Sequence, residues 1–158
     1  MCAHIMRRYN RGVEDAGRMA EPEKLTAARE HLSQAESNYR SAEGLVHLEE
    51  GLALLDEVLL DGARGHRTVA RNLLTTYSAR ICESVRKVVE GDRGLPGPDL
   101  EHLFKVLLAF DAAGSKVPDY VGSLKIAVVG RLIDLYYEGY PAEEKEKALR
   151  QLTGIAGG

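Results

Sequence analysis

The sequence predicts an all-α fold. Apolar residues recur at steps of three and four along six segments, the spacing that lines one face of a helix. No segment sustains the alternation of a half-buried strand. Glycine and proline collect between the periodic segments, as in Gly91–Pro98 (GDRGLPGP), where they punctuate helices. About six antiparallel helices in one domain over residues 22–156 follow, paired as three helical hairpins. A closed helical bundle burying the same stripes is the alternative.

Residues 1–21 lack any period and carry four arginines among glycines and acids, so a flexible arm is expected. Met19 followed by AEPEKL would start a compact domain naturally, which leaves open whether residues 1–18 belong to the native protein. The first helix begins near Pro22, a residue suited to a first helical position. Leu25, Ala28, Leu32, Ala35, Tyr39 and Ala42 form its stripe, and Gly44 marks a break; one long bent helix is the other reading. The second helix, residues 45–60, carries Leu45, Leu48, Leu52, Leu55 and Leu59, and residues 61–65 read as its C-cap and turn. The third, residues 67–90, has Val69, Leu73, Tyr77, Ile81, Val85 and Val88. The fourth starts at Asp99 as N-cap, buries Leu100, Leu103, Phe104, Leu107 and Leu108, and stops at Gly114. The fifth lies within Pro118–Gly139 and is apolar around most of its circumference, which reads as the central helix against which the others pack. The sixth, residues 142–152, has acids at its start and Arg150 near its end, as the helix dipole favours; Ala148, Leu149, Leu152 and Ile155 make its apolar strip.

The chain of 158 residues has a net charge of −3, so nothing in bulk charge argues for nucleic acid or a membrane surface. Charge by segment says more. Residues 23–61 carry nine acids against three bases, net −6, and residues 64–93 carry seven bases against three acids, net +4. The two segments are expected to be neighbours. Arg64, Arg67 and Arg71 cluster where the third helix starts, and cations sit badly at that end of a helix. The acidic hairpin can neutralise them; otherwise they form a site for an anion or an acidic peptide.

Cys2 and Cys82 make no zinc spacing and no CxxC pair; Cys82 reads as buried and inert. No secretory signal is evident, and a reducing cytoplasm is expected. His47 has Glu43 four residues before it and Glu50 three after, a pattern that resembles half of a carboxylate–histidine metal site. Without a matching set on another helix it reads as a solvated face, so no metal and no cofactor are expected. The five histidines sit in no motif with Ser, Cys or Asp, and His66 reads as solvated at a turn. Gly91–Pro98 lacks GxxxxGK[ST] and follows no strand, which excludes a phosphate loop. No catalytic residue is expected.

Leu32-Ala35-Tyr39, Ala70-Leu73-Leu74-Tyr77 and Val129-Leu132-Ile133-Tyr136 share apolar residues at relative positions 0 and 3 and a tyrosine at 7. This pattern resembles the first helix of a tetratricopeptide (TPR) repeat. It departs from the family at the small position, held here by Leu74 and Ile133, and in period. The tyrosines are 38 and 59 residues apart against a family repeat of about 34. The resemblance implies a TPR-like α-solenoid, a scaffold that binds a peptide or protein segment in a helical groove, with no enzymatic activity. Arg64, Arg67, Arg71 and Asn72 are the expected contact residues, because guanidinium groups grip carboxylates in a two-pronged fork. The other expectation is a homo-oligomer joined through Tyr120, Tyr137 and Tyr140, with Gly122 and Gly130 permitting close helix approach.

Overall fold

A computed structural model describes residues 19–113 and 116–153. The arm up to residue 18 with Cys2 and His4, the Gly114 stop and Ile155 lie outside the described residues. Six helices follow one another: α1 (Glu21–Ser37), α2 (Ala42–Asp61), α3 (Arg64–Gly91), α4 (Gly97–Ala112), α5 (Val121–Tyr136) and α6 (Ala142–Thr153). No strand occurs among the described residues. None of these helices is long and apolar enough to cross a membrane.

Local chemistry moves several boundaries. α1 starts with Pro22 in its first turn and the Glu23 carboxylate accepting the Ala20 N–H at 3.3 Å. It ends at Ser37, ahead of the expected break at Gly44. Asn38 and Ser41 make the turn, and the Ser41 hydroxyl accepts the Gly44 N–H at 3.0 Å, capping α2. Gly44 therefore lies inside the first turn of α2, where a Cβ would fall 1.9 Å from the Asn38 carbonyl oxygen. Tyr39 and Ala42 leave the α1 stripe, and a single bent helix is ruled out. Only Gly62 and Ala63 separate α2 from α3, so the third helix begins at Arg64 rather than Arg67. α4 begins at Gly97 with Pro96 at its N-cap, which puts Asp99 inside the first turn rather than at the cap.

Cross-helix partners fix the directions. In α1 and α2, Lys24 meets Glu57 at 3.0 Å and His31 meets His47 at 2.9 Å, so the pair is antiparallel. Arg80 of α3 binds Glu36 of α1 at 2.8 Å, while His66 hydrogen-bonds Glu21; α1 and α3 run parallel. Arg86 lies over the Tyr120 ring and Arg131 donates to Val89 O and Asp92 O at 2.7 Å, which sets α5 parallel to α3. Arg40 and Tyr39, just before α2, meet Asp99 and His102 of α4, while Glu49 to Asp56 face Ala109 to Ala113. α2 and α4 are thus parallel as well. Among the described residues α1 touches only α2 and α3, and α6 touches only α5.

The core is one cluster running from Leu25 to Leu132, with a small second cluster of Val129, Ile133 and Ala148 holding α6. Leu32, Leu48 and Leu55 are fully buried, each contributing on the order of 1.5–3 kcal/mol by leaving water. α5 is not the centre. It touches α3, α4 and α6, whereas α3 touches α1, α2, α4 and α5. Part of the α5 apolar surface, Ile126, Leu135 and Tyr136, is exposed.

Gly51 is where α1 and α2 cross most closely: a Cβ there would lie 2.9 Å from Leu32 Cγ and 3.3 Å from Ala28 O. Gly130 would meet nothing within 4 Å, and the same holds for Gly122, so neither serves a close approach within the chain. Gly51→Ala is expected to destabilise by about 1–3 kcal/mol through overpacking. Gly130→Ala, on α5 with open space, should stabilise by about 0.5–1 kcal/mol. Urea denaturation of the two variants beside the parent checks both signs.

Candidate functional site

One register of α3 organises the site. Arg64, Arg67, Arg71, Leu74, Ser78, Cys82, Val85 and Val89 follow at steps of three and four, and so share a face. From Ser78 onward this face is buried under the helices that follow. Before Ser78 it emerges: Arg64 and Arg71 are exposed and Arg67 is half-buried. α5 runs alongside α3 only near its C-terminal end, where Arg86 covers Tyr120 and Arg131 reaches Val89 and Asp92. The N-terminal half of the same face is therefore an outward cationic row.

No ion pair joins Arg64, Arg67 or Arg71 to any acid among the described residues. The Arg67 Nε is out of water with no hydrogen-bond acceptor. The acidic hairpin does not neutralise the cluster in the way its charge suggests. Its acids turn elsewhere: Glu57 to Lys24, Glu36 to Arg80, Glu50 to His31. Asn72 is exposed but stands one residue off the row, so the structure brings three of the four expected contact residues onto one line.

The start of α3 is held by Glu21. Ala63, the N-cap, has no capping side chain; instead its N–H donates to the Glu21 carboxylate at 3.1 Å. His66 donates to the same carboxylate. His66 is thus bound and half-buried rather than solvated. The bond from His66 first, then that from the Ala63 N–H, hold the Glu21 carboxyl below the usual carboxylate range.

A second concave feature, about 280 Å³, lies between the end of α3 and α5 and is lined by Arg86, Arg93, Tyr120 and Arg131 above Val89 and Leu124. Its cations are mostly engaged. Arg86 pairs with Glu83 at 3.0 Å, and Arg131 caps the last carbonyls of α3. Tyr120 is half-buried beneath Arg86 and Tyr137 is half-buried against Tyr140, so two of the three tyrosines expected at an oligomer interface are partly covered within the chain.

Sequence spacing missed one cluster. His31 of α1 lies beside His47 and Glu50 of α2. The Nδ1 atoms of the two rings are 2.9 Å apart, and Glu50 Oε2 is 3.3 Å from His31 Nε2. Cys82 is fully buried, and that burial pushes its thiol up to about 11. His102 Nε2 is bonded to the Tyr39 carbonyl at 2.8 Å. Comparison with protein-family models, with curated proteins and with solved structures finds no match to the chain.

The Glu21 arrangement sets an acid limit. Because the folded carboxyl titrates below its unfolded value of 4.5, its contribution is fully present above that value and is lost as the pH falls through the folded one. Glu21→Gln should be less stable than the parent at neutral pH. It should also lose less stability between neutral pH and about pH 3, measured by urea midpoints across that range. Equal slopes in the two proteins would remove Glu21 as the cause.

Proposed function

We propose that the chain is a non-enzymatic protein-interaction module, a TPR-like stack of helical hairpins, which takes an acidic segment of a partner protein along Arg64, Arg67 and Arg71. The observation that carries this reading is the outward row of arginines with no acid paired to it. Arg67 is half-buried with its Nε out of water and unbonded, so a partner's carboxylate would meet the outer guanidinium nitrogens, where it gains a charge-assisted hydrogen bond. The parallel run of α1, α3 and α5, and the absence of contact between α1 and α6, support an open stack over a closed bundle. In such stacks successive hairpins line an extended binding surface. The burial of Cys82, whose thiol titrates near 11, argues against a nucleophile. A cytoplasmic setting, without nucleic acid or a cofactor, belongs to the same reading.

Self-association is the second reading. The surface that favours it is apolar rather than tyrosine-based: Leu108, Ile126 and Leu152 border a concavity of about 320 Å³ between α4, α5 and α6.

Fluorescence anisotropy with a labelled glutamate-rich peptide tests the first reading. The parent should bind, more weakly as salt rises. Arg67→Glu with Arg71→Glu should weaken binding at least about tenfold, or roughly 1.4 kcal/mol, with helix content retained by circular dichroism. Arg67→Ala guards against repulsive unfolding and should show a smaller loss. Unchanged binding in both variants overturns the assignment. A solution mass of twice the chain, abolished by Leu108→Glu, would instead establish the second reading.

A further inference from the structure

The geometry points to a metal site on the α1–α2 hairpin: His31, His47 and Glu50 hold one divalent ion of the late first-row transition series. Three observations build it. The ligand atoms of the three residues lie within 4.8 Å of one another. The two imidazole Nδ1 atoms are 2.9 Å apart. Two nitrogen–metal bonds of about 2.05 Å set their nitrogens about 2.9 Å apart at a square-planar or octahedral angle and about 3.3 Å apart at a tetrahedral one, so nickel or copper fits the pair as it stands and zinc fits after a small opening. The outward Nε2 atoms both face carboxylates, His31 toward Glu50 at 3.3 Å and His47 toward Glu43 at 3.9 Å. At 2.9 Å the two Nδ1 atoms are hydrogen-bonded, one ring donating to the lone pair of the other. A divalent cation in place of that proton would take both nitrogens as ligands, and its binding would release the proton.

The scaffold is suited to the task. Gly51, adjacent to Glu50, lets the helices cross close to Leu32, adjacent to His31. Leu32 and Leu48 flank the histidines and are fully buried, so both imidazoles stand on fixed backbone. The side chains of His31 and His47 keep 28% and 26% of their exposure, enough for an ion to enter from solvent. The surrounding segment is net −6, which concentrates cations. Nitrogen donors select zinc, nickel or copper over magnesium or calcium. Glu50 is the third ligand, reached by rotation of its exposed side chain away from His31 Nε2, and water completes the shell.

Isothermal titration of the full chain with Zn²⁺ and with Ni²⁺, and with Mg²⁺ as control, is the test. One ion per chain at micromolar affinity is expected for Zn²⁺ and Ni²⁺, and none for Mg²⁺. His31→Gln and His47→Gln should each lower the affinity at least about tenfold, and Glu50→Gln should do so less severely. At about one hundred times the dissociation constant, Zn²⁺ should raise the melting temperature by roughly 5–10 °C in the parent and not in His31→Gln. Both histidine variants keep His4, His66 and His102, so undiminished binding in them places the ion elsewhere and overturns the site. Absence of binding by the parent, with its helix content intact, overturns it equally.

Discussion

The structure depends on the continuity of α3 and on what satisfies its two ends. Its 28 residues span about 42 Å, and it is the element that touches both the first hairpin and the later helices. A helix of that length presents a positive end and a negative end. Its own sequence answers neither: no acid lies in its first turn and no base in its last. The neighbours answer both. Glu21, from the start of α1, places a carboxylate on the Ala63 N–H; Arg131, from α5, places a guanidinium on the Val89 and Asp92 carbonyls. The parallel helices on either side of α3 are therefore tied to it by its backbone ends as well as by its side chains.

This explains why the centre was hard to read. α5 has the most continuous apolar surface, yet hydropathy counts side chains and not neighbours. Ile126, Leu135 and Tyr136 stay exposed, although the Tyr136 hydroxyl donates to Glu101 of α4. α3 hides its role because different helices cover different lengths of it. Ala70 and Leu73 bury in its first half and Ser78, Cys82, Val85 and Val89 in its second, so the buried face departs from the stripe that begins at Val69, which is exposed. The stripes of α1 and α2 were legible because one partner covers each for most of its length: Leu25, Ala28, Leu32 and Ala35, then Leu48, Leu52 and Leu55, are all buried. The turn between those helices, residues 38–41, falls three to six residues ahead of the expected break at Gly44, because the glycine drew more notice than the capping serine. Ser41 starts α2; Gly44 only makes room for the turn.

The candidate sites divide in the same way. The arginine row was visible because it is local, three residues on two turns of one helix. That the hairpin acids pair elsewhere was not visible, since net segment charge does not assign partners. His47 carries Glu43 and Glu50 on its own helix, and nothing in the spacing ties it to His31. Their meeting appears only when the chain is folded about residues 38–41, which sets 31 opposite 47, 28 opposite 51 and 24 opposite 57. A correctly placed turn would have found the pair from the sequence.

The charge arrangement carries the last step. The hairpin at net −6 and the following segment at net +4 attract as bodies, but among the seven bases of that segment only Arg80 forms an ion pair with a hairpin acid. The attraction is a field rather than a set of bonds, which leaves Arg64, Arg67 and Arg71 crowded at the positive end of α3. Mutual repulsion, the helix dipole and the dehydrated Arg67 Nε all act against that placement, and the single carboxylate of Glu21 is already committed to Ala63 and His66. Local rules are broken at functional positions and obeyed elsewhere. The helix starts that carry acids, Glu21 and Glu23 in α1, Glu43 in α2, Asp99 in α4 and Glu143 and Glu144 in α6, follow the dipole, whereas among the described residues only α6 carries a base, Arg150, in its last turn. The cationic start of α3 is the departure that the proposed acidic partner segment would offset.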